Sequence, residues 1–392
     1  MKKILFVVDS LEVGGIEKSL INLLKYLTGL NKYEITLLSL VSDGPLEKEV
    51  PNNIKRIKIK WEKQKYLKPI RKELKNFNFI YILNLLKYKK KVGILPTGES
   101  IRYNVIKSLD KIKEYFDIAI AYTDSSSLFY VGEKVEADKK YVWVHMDYTE
   151  KNNRPISHNV FYEKMDKIIC VSKKAQESFG ILNSKLKDKT CVIHNLLDTT
   201  RIDVLSKKKC NEFDENYFNI LSVGRLSKEK NFETLIQSFS ELKRQLEKKI
   251  RLYIIGDGIE YDKLKSIIKD EDLQEDCFLI GSKENPYKYM KNCDLYVQVS
   301  IREGFGMTLY EAFYLKKPVL STRVSITDEL FTNGYNALIV ENNINDITKG
   351  LYKLITKDDL RKRLTDNITN NVIISDEKVL INLLNGEKNE KN

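Results

Sequence analysis

The chain begins with a strand, a helix and a second strand in close succession, and the segment from Lys2 to Val41 reads KKILFVVDSLEVGGIEKSLINLLKYLTGLNKYEITLLSLV. Residues 4–8 are an apolar run that predicts a buried strand, and the apolar spacing over residues 16–27 predicts an amphipathic helix. Residues 34–41 predict the next strand. Strand, helix and strand in this order are typical of a parallel sheet, so the segment indicates an α/β fold.

The same alternation continues along the rest of the chain. Further strands are predicted at residues 54–59, 118–122, 141–145, 167–171, 190–194, 219–223, 251–255, 277–280, 295–299, 318–321 and 337–340. The polar stretch 199–216 interrupts the series and predicts a domain boundary. We therefore predict two Rossmann-like, doubly wound α/β domains, at 1–200 and 201–370, which face a central cleft. A C-terminal helix and polar tail, 371–392, would follow.

The composition excludes several classes of protein. Of the 392 residues, 42% are hydrophobic and 31% are charged, which is too apolar for a disordered chain, and 17 Gly with 7 Pro are too few for a fibrous one. Asp9 ends the first apolar run too early for a signal peptide, and no apolar run is long enough to span a bilayer. The five cysteines contain no C-x-x-C pair, which indicates reduced, buried thiols in a cytoplasmic protein.

The positive charge is concentrated in the first half of the chain. The net charge is +12, and residues 1–200, with 36 basic and 24 acidic side chains, account for all of it. Residues 51–113 alone carry 18 basic and 4 acidic side chains, and within them the apolar run 77–86 is followed by Lys87, Lys89, Lys90 and Lys91. This pattern predicts either contact with an anionic membrane surface or an ordinary buried helix with a solvated lysine end. No zinc-finger spacing or RNP-type motif supports a nucleic-acid partner.

In each half of the chain, a glycine-containing loop follows the first strand. Gly14 and Gly15 come directly before a helix, where a phosphate or a sugar can approach backbone N–H groups, although a plain loop explains the pair equally well. A G-x-G-x-x-G motif is absent, which argues against a nicotinamide cofactor. In the second half, Arg225 and Lys230 flank a strand-to-helix loop and could hold a diphosphate from two sides. The alternative is a solvated loop with incidental charges.

The most informative stretch reads SIREGFGMTLYE, from Ser300 to Glu311, and lies between a strand and a helix. Its glycines free backbone N–H groups at the start of the helix, and Glu303 and Glu311 are separated by seven residues. Carboxylates accept hydrogen bonds from pairs of hydroxyl groups. The two acids therefore fit a ligand that carries a sugar at one end and a ribose at the other.

These two loops of the second half resemble those of the retaining, nucleotide-sugar-dependent glycosyltransferases of the GT-B fold, the family 4 or "group 1" class. The resemblance covers nearly the whole chain and is more specific in the second half. In the first half the family also has counterparts of Gly14-Gly15, of the loop at 144–147 that contains His145, and of Ser172 and Asn195. The basic stretch 51–113 matches no motif, and in that family this region meets the acceptor.

The resemblance implies a role for each matching residue. Arg225 and Lys230 would hold the donor diphosphate and stabilise its charge as the glycosyl bond breaks, Glu311 would bind the ribose hydroxyls, and Glu303 would hold a hydroxyl of the donor sugar. The remaining donor contacts, partly through backbone N–H groups, would come from Gly304, Phe305, Gly306, Met307 and Thr308. His145 would contact the transferred sugar across the cleft, Gly15 would lie near the phosphates, and Gly14, Gly15 and Asp147 would meet the acceptor.

The chemistry of these residues predicts a metal-independent enzyme without a cofactor. Two cations and a helix N-terminus can do the electrostatic work of a metal ion, and no Asp-x-Asp follows a strand. No carboxylate can be assigned as a nucleophile, which favours same-face displacement over double inversion. A lone histidine is more often structural, but the strand-end position of His145 favours a functional role.

We therefore predict a retaining glycosyltransferase that moves a hexose or N-acetylhexosamine from a nucleotide sugar to a lipid-linked or polysaccharide acceptor in surface glycan biosynthesis. The expected donor is a UDP sugar. It would be cytoplasmic and peripherally bound to the inner face of the cell membrane.

Two other classes of function stay open. A nucleotide-sugar epimerase shares the fold but would need more acid and base groups than three histidines suggest. A non-catalytic, transferase-like subunit would have lost one of the diphosphate cations or glutamates, and all four are present.

Overall fold

The computed structural model describes residues 1–42, 44–58, 103, 106–107, 109–148, 158–368 and 376–387. The chain divides into two compact units. The first contains Met1–Asn195 together with Asp376–Asn392, and the second contains Leu196–Ser375. Among the described residues, no helix combines the length and the apolar character needed to cross a bilayer.

The first unit is built on a parallel sheet. Its strands in the described residues are β1 Lys2–Ser10, β2 Tyr33–Ser42, β3 Lys55–Lys58, β4 Tyr115–Ala121, β5 Glu136–Val144, β6 Lys167–Cys170 and β7 Thr190–Val192, in the spatial order β3-β2-β1-β4-β5-β6-β7. Residues 4–8 of β1 are fully buried because the sheet is covered on both faces, which explains their unbroken apolar run. Among the described residues before Asn195, the α-helices are α1 Gly15–Gly29, α2 Ser126–Lys134, α3 Asn159–Tyr162 and α4 Lys173–Leu182.

The second unit repeats this architecture. Its helices and strands are α5 Thr199–Ser206, β8 Phe218–Val223, α6 Phe232–Gln245, β9 Ile250–Ile255, α7 Tyr261–Asp270, β10 Cys277–Leu279, α8 Tyr287–Asn292, β11 Leu295–Gln298, α9 Met307–Tyr314, β12 Val319–Thr322, α10 Thr327–Leu330, β13 Leu338–Val340, α11 Ile344–Thr356 and α12 Asp358–Asp366. The parallel sheet has the order β10-β9-β8-β11-β12-β13. Each predicted strand therefore has a counterpart in one of the two sheets, and the predicted α/β class is confirmed.

The C-terminal segment belongs to the first unit. Helix α13, Glu377–Asn385, accepts hydrogen bonds from the Lys2 ammonium group at the carbonyls of Leu384 (3.0 Å) and Asn385 (2.8 Å). Asp376, directly before it, binds the ring Nδ1 of His194 at 2.6 Å. A C-terminal helix was predicted within 371–392, and α13 lies there as part of the first unit.

The structure adds detail to two sequence expectations, and a third concerns residues that it does not describe. The polar stretch 199–216, predicted as the boundary, opens with α5, whose first turn is capped by the Asp198 carboxylate (3.0 Å to the Arg201 N–H). Cys191 and Cys210 are only partly buried, whereas the other three cysteines are buried and all five are free thiols. The apolar run 77–86 and the lysines that follow it lie outside the described residues.

Candidate functional site

The second sheet has a topological switch point between β8 and β11. The two strands are hydrogen-bonded neighbours, although three helices and two strands separate them in sequence. The chain leaves their carboxyl ends in opposite directions, and such a divergence opens a crevice where ligands bind in α/β sheets. The loop with Arg225 and Lys230 follows β8, and the loop with Glu303 follows β11, so the predicted donor residues meet at this point.

Lys230 and Glu303 form an ion pair in this crevice. The Lys230 ammonium group donates to Glu303 Oε1, and the two side chains are 21% and 12% exposed. The aliphatic stem of Lys230 lies beside Gly224, where an added Cβ would come within 3.3 Å of it. The two residues predicted to hold different parts of one ligand therefore hold each other in this structure.

Neutral donors also hold the Glu303 carboxylate. Oε1 accepts hydrogen bonds from the Gln298 amide (3.1 Å) and the Ser300 hydroxyl (2.8 Å). The Ser325 hydroxyl donates to the Glu303 backbone carbonyl at 2.6 Å. The loop is thus fixed at both its side chain and its main chain.

Gly306 is the N-cap residue of helix α9, which has no side-chain cap. Gly306 has φ +101°, a left-handed conformation that favours glycine, and an added Cβ would approach Ile326 within 3.1 Å. Most of the described helices likewise lack a side-chain cap, and only α4, α5 and α11 have one, from Ser172, Asp198 and Asn343. Uncapped N–H groups at a helix N-terminus suit an anionic ligand.

Glu311 is a buried residue one turn into α9. It is 3% exposed, and its Oε1 accepts a hydrogen bond from the Tyr287 hydroxyl at 3.1 Å. Burial, together with the nearby Glu311 carboxylate, raises the pKa of Tyr287 far above its ordinary value. The tyrosine therefore stays protonated and donates to the carboxylate. Tyr287 precedes Glu311 by 24 positions, so no local spacing identifies it.

The loop that carries Arg225 is shaped by close backbone contacts. Gly256 and Gly258 follow β9, and an added Cβ at these positions would meet the carbonyl oxygens of Gly224 (1.8 Å) and Leu226 (2.3 Å). The Leu226 N–H donates to the Asp257 carbonyl at 2.9 Å. The Gly-x-Gly after β9 was a readable signal that sequence analysis missed. Within the described part of the chain, the exposed Arg225 guanidinium group makes no ion pair.

The remaining predicted donor residues lie on the same loop and helix. Phe305 is 3% exposed and packs edge-on against Tyr310, with ring centroids 5.7 Å apart. Met307 is buried, and the Thr308 hydroxyl lies 3.2 Å from the Val223 carbonyl and 3.0 Å from the Gln298 amide oxygen. The side chain of Thr308 therefore joins the ends of β8 and β11, a structural contact that the sequence analysis did not anticipate.

His145 lies directly after β5 in the first unit. It is 7% exposed, and its ring lies 4.8 Å from the ring of Tyr122, centroid to centroid. Burial lowers the pKa of His145 to about 4, although the Asp124 carboxylate and the Tyr122 backbone oppose this shift. In the described residues neither ring nitrogen has a hydrogen-bond partner. The imidazole is therefore neutral near pH 7 and able to bind a hydroxyl group.

The other predicted residues of the first unit lie at the ends of β1 and β5. Asp147 is 4% exposed, and its carboxylate pairs with the Lys174 ammonium group at 3.4 Å. Gly14 precedes α1, which has no side-chain cap. Gly15 has no atom within 4 Å of an added Cβ, so the fold does not require glycine there. An open position at an uncapped helix start leaves room for a ligand.

Asp9 fixes the neighbouring loop of the first unit. Its carboxylate accepts hydrogen bonds from the Thr123 hydroxyl (3.1 Å) and the Ser127 N–H (3.0 Å), as well as from the Ser125 hydroxyl. The ends of β1 and β4 are thereby joined at the switch point of the first sheet. Among the described residues, no cluster of three or more His, Cys, Asp or Glu side chains could hold a metal ion.

Comparison with known proteins points to one family. Residues 203–371 match the model of the glycosyl transferases group 1 family. The chain is 34% identical over 207 residues, 52% of this chain and 54% of the relative, to the N-acetylgalactosamine-N,N'-diacetylbacillosaminyl-diphospho-undecaprenol 4-alpha-N-acetylgalactosaminyltransferase of Campylobacter jejuni. It is 27% identical over 310 residues to an uncharacterized glycosyltransferase of Methanocaldococcus jannaschii, covering 72% of this chain and 73% of the relative. The matches span about half the length of most of the curated relatives.

A solved structure matches nearly the whole chain. The Anabaena protein HepE in complex with UDP and glucose superposes with a TM-score of 0.69, covers 98% of both chains and is 18% identical in sequence. At this identity the likeness establishes the fold.

Proposed function

Because residues 203–371 match the glycosyl transferases group 1 model and the chain has the GT-B fold, we propose that the protein transfers a hexose or N-acetylhexosamine from a UDP sugar to a lipid-linked or polysaccharide acceptor. One observation carries the proposal. The two cations and two carboxylates predicted to bind the donor stand on the loops and the helix that meet at the switch point of the second sheet. Surface glycans or their lipid-linked precursors would be the products.

The chemistry of donor cleavage follows from these groups. The glycosyl bond breaks with its electron pair going to the departing UDP, so negative charge grows on the diphosphate. Arg225, Lys230 and the uncapped start of α9 would stabilise that charge in the crevice. A metal ion would then be unnecessary. We propose same-face displacement with retention of configuration, in which the acceptor oxygen attacks the sugar carbon as the diphosphate leaves and the leaving phosphate takes the acceptor proton.

Lys230 must change partners for this role. In the donor-free structure it is bound to Glu303. On donor binding its ammonium group would turn to the diphosphate, and the Glu303 carboxylate would bind a hydroxyl of the sugar. We assign Glu311 to the ribose hydroxyls, and His145, which is neutral near pH 7, to a hydroxyl of the transferred sugar. Gly14, Gly15 and Asp147 would meet the acceptor.

A lipid-linked acceptor fits two observations. The Campylobacter jejuni relative is named for a saccharide linked to diphospho-undecaprenol. The first unit contains the strongly basic stretch 51–113, whose charge would hold the protein at an anionic membrane surface.

The proposal is tested with a panel of nucleotide sugars. The purified protein is incubated with each UDP sugar in the presence and absence of lipid extract, and UDP release and labelled lipid product are measured. We expect one UDP sugar to give lipid-dependent UDP release and a labelled lipid. Formation of an isomeric nucleotide sugar without any acceptor would identify an epimerase instead, and no turnover of any donor would favour a non-catalytic subunit.

A further inference from the structure

Gln298 is a buried amide that links the donor loop to the rest of the crevice. It is the last residue of β11 and is 3% exposed, and both the NH₂ group and the oxygen of its amide form hydrogen bonds. The amide NH₂ donates to Glu303 Oε1 (3.1 Å), and the amide oxygen accepts from the Thr308 hydroxyl (3.0 Å). Only this orientation satisfies both neighbours, because a carboxylate needs a donor and the hydroxyl supplies a proton.

The hydrogen bond from Gln298 to Glu303 becomes important when Lys230 leaves Glu303. In the described residues all three hydrogen bonds of the carboxylate fall on Oε1, from Lys230, Gln298 and Ser300. If Lys230 turns to a diphosphate, the two neutral donors alone keep the carboxylate in place. The one proton of the Thr308 hydroxyl is shared between Gln298 Oε1 (3.0 Å) and the Val223 carbonyl at the end of β8 (3.2 Å).

Resting on the function proposed above, we propose that Gln298 is a positioning residue for donor-sugar recognition. It holds Glu303 Oε1 after Lys230 has moved, so that the other carboxylate oxygen is directed at a sugar hydroxyl. Groups that recognise a substrate must be fixed by such supporting contacts to act with precision. Gln298 itself touches no substrate.

The matched variants are Gln298→Leu and Asn219→Leu. Both remove a buried amide from the second sheet, but Asn219 lies at the start of β8 and donates to the carbonyls of Asp214 and Tyr217, away from the crevice. Backbone hydrogen exchange is measured for residues 300–309. We expect exchange to be about tenfold faster in Gln298→Leu and unchanged in Asn219→Leu, because only the first releases the Glu303 loop. Equal exchange in the wild type and Gln298→Leu overturns the inference, whether or not the protein is a transferase.

Kinetics then separate positioning from donor binding in general. For the UDP sugar that the wild type uses, Gln298→Leu should lower kcat/KM about tenfold, while the Kd for UDP alone stays within about twofold. An equal loss for UDP, or no change in kcat/KM, contradicts the inference. No turnover by the wild type would contradict the proposed function instead, and the exchange result would still decide the role of Gln298.

A third variant, Gln298→Glu, tests whether the effect passes through Glu303. It keeps an acceptor for Thr308 but replaces the NH₂ group that donates to Glu303 Oε1 with a carboxylate oxygen, which repels it. The kcat/KM of Gln298→Glu for the donor should therefore fall at least as far as that of Gln298→Leu, while the Kd for UDP again stays within about twofold. A wild-type kcat/KM in Gln298→Glu would show that Gln298 does not act through Glu303.

Discussion

The carboxyl ends of the two sheets present different kinds of polar group. In the second unit the Lys230 and Glu303 charges are paired and further bonded to neutral donors. In the first unit His145 is buried and uncharged near pH 7, and Gly15 faces open space. The second crevice therefore brings two cations and two carboxylates to one switch point, which suits a charged ligand. The first unit places a neutral imidazole, which suits a sugar hydroxyl, beside carboxylates that are already bonded within the unit, those of Asp9 and Asp147.

Removing Lys230 should break the charged site most severely. Lys230→Ala deletes the diphosphate cation and leaves the Glu303 carboxylate without its counter-charge. We expect kcat/KM for the donor to fall about 100-fold, equivalent to about 3 kcal/mol for a charged hydrogen bond. Donor kinetics are compared with Lys228→Ala, an exposed cation in the same turn, which should retain nearly full activity. Similar kinetics in the two variants would remove Lys230 from the site.

The neutrality of His145 predicts a pH-dependent stability. The pKa in the folded protein lies below the ordinary value of 6.5, so the unfolded chain binds a proton that the folded protein excludes. The contribution of the neutral His145 to the free energy of unfolding is therefore fully present above about pH 6.5 and is lost as the pH falls towards 4. Between pH 7.5 and pH 4.5, His145→Gln should lose about 2 kcal/mol less unfolding free energy than the wild type. Urea unfolding at the two pH values measures this, and equal losses would mean that His145 titrates normally.

Glu311 should affect the nucleotide end of the donor more than the sugar end. Glu311→Ala would remove the hydrogen bonds that we propose to the ribose, and we expect at least about tenfold weaker binding of UDP. Tyr287→Phe keeps the carboxylate and deletes only its internal partner, so its effect on UDP affinity should be smaller. Calorimetric titration of both variants compares them. An unchanged affinity in Glu311→Ala would exclude the ribose contact.

The basic stretch 51–113 gives the first unit a large positive charge that the second unit lacks. Replacing Lys87, Lys89, Lys90 and Lys91 with Gln should weaken co-sedimentation with anionic vesicles about fivefold at 0.15 M salt, where screening reduces each contribution, and more at low salt. UDP release from a soluble donor should not change. The matched control makes the same four replacements in the second unit, at Lys248, Lys349, Lys353 and Lys357. If both quadruple variants sediment like the wild type, the stretch is only a solvated surface.

Local patterns were sufficient to predict the fold. Buried strands in a parallel sheet are continuous apolar runs, and each run that was predicted as a strand has a counterpart in one of the two sheets. The polar stretch 199–216 did not reveal helix α5, because the composition of a solvated helix resembles that of a linker. Nor does the sequence reveal that the segment from Asp376 onwards packs on the first unit, since that depends on contacts such as Lys2 with Leu384.

The candidate site was predictable where spacing carries the chemistry. Glu303 and Glu311 are separated by a loop and one helical turn, so their proximity to one ligand could be read from the sequence. The partners of these carboxylates could not. Tyr287 and Lys230 are 24 and 73 positions away from the glutamates they bind, and only the order of the strands brings them together. Gln298 is close in sequence, but a lone glutamine at the end of a strand has no distinguishing pattern.

Binding of UDP in the presence of EDTA tests the division of roles between the two units most directly. Calorimetric titration is carried out on the wild type, on the double variant Arg225→Ala with Lys230→Ala, and on His145→Ala. We expect the wild type and His145→Ala to bind UDP with the same affinity, and the double variant to bind at least about 100-fold more weakly, because the diphosphate is held by the second unit without a metal ion. Binding that requires added Mg²⁺, that survives in the double variant, or that is lost in His145→Ala would contradict the account.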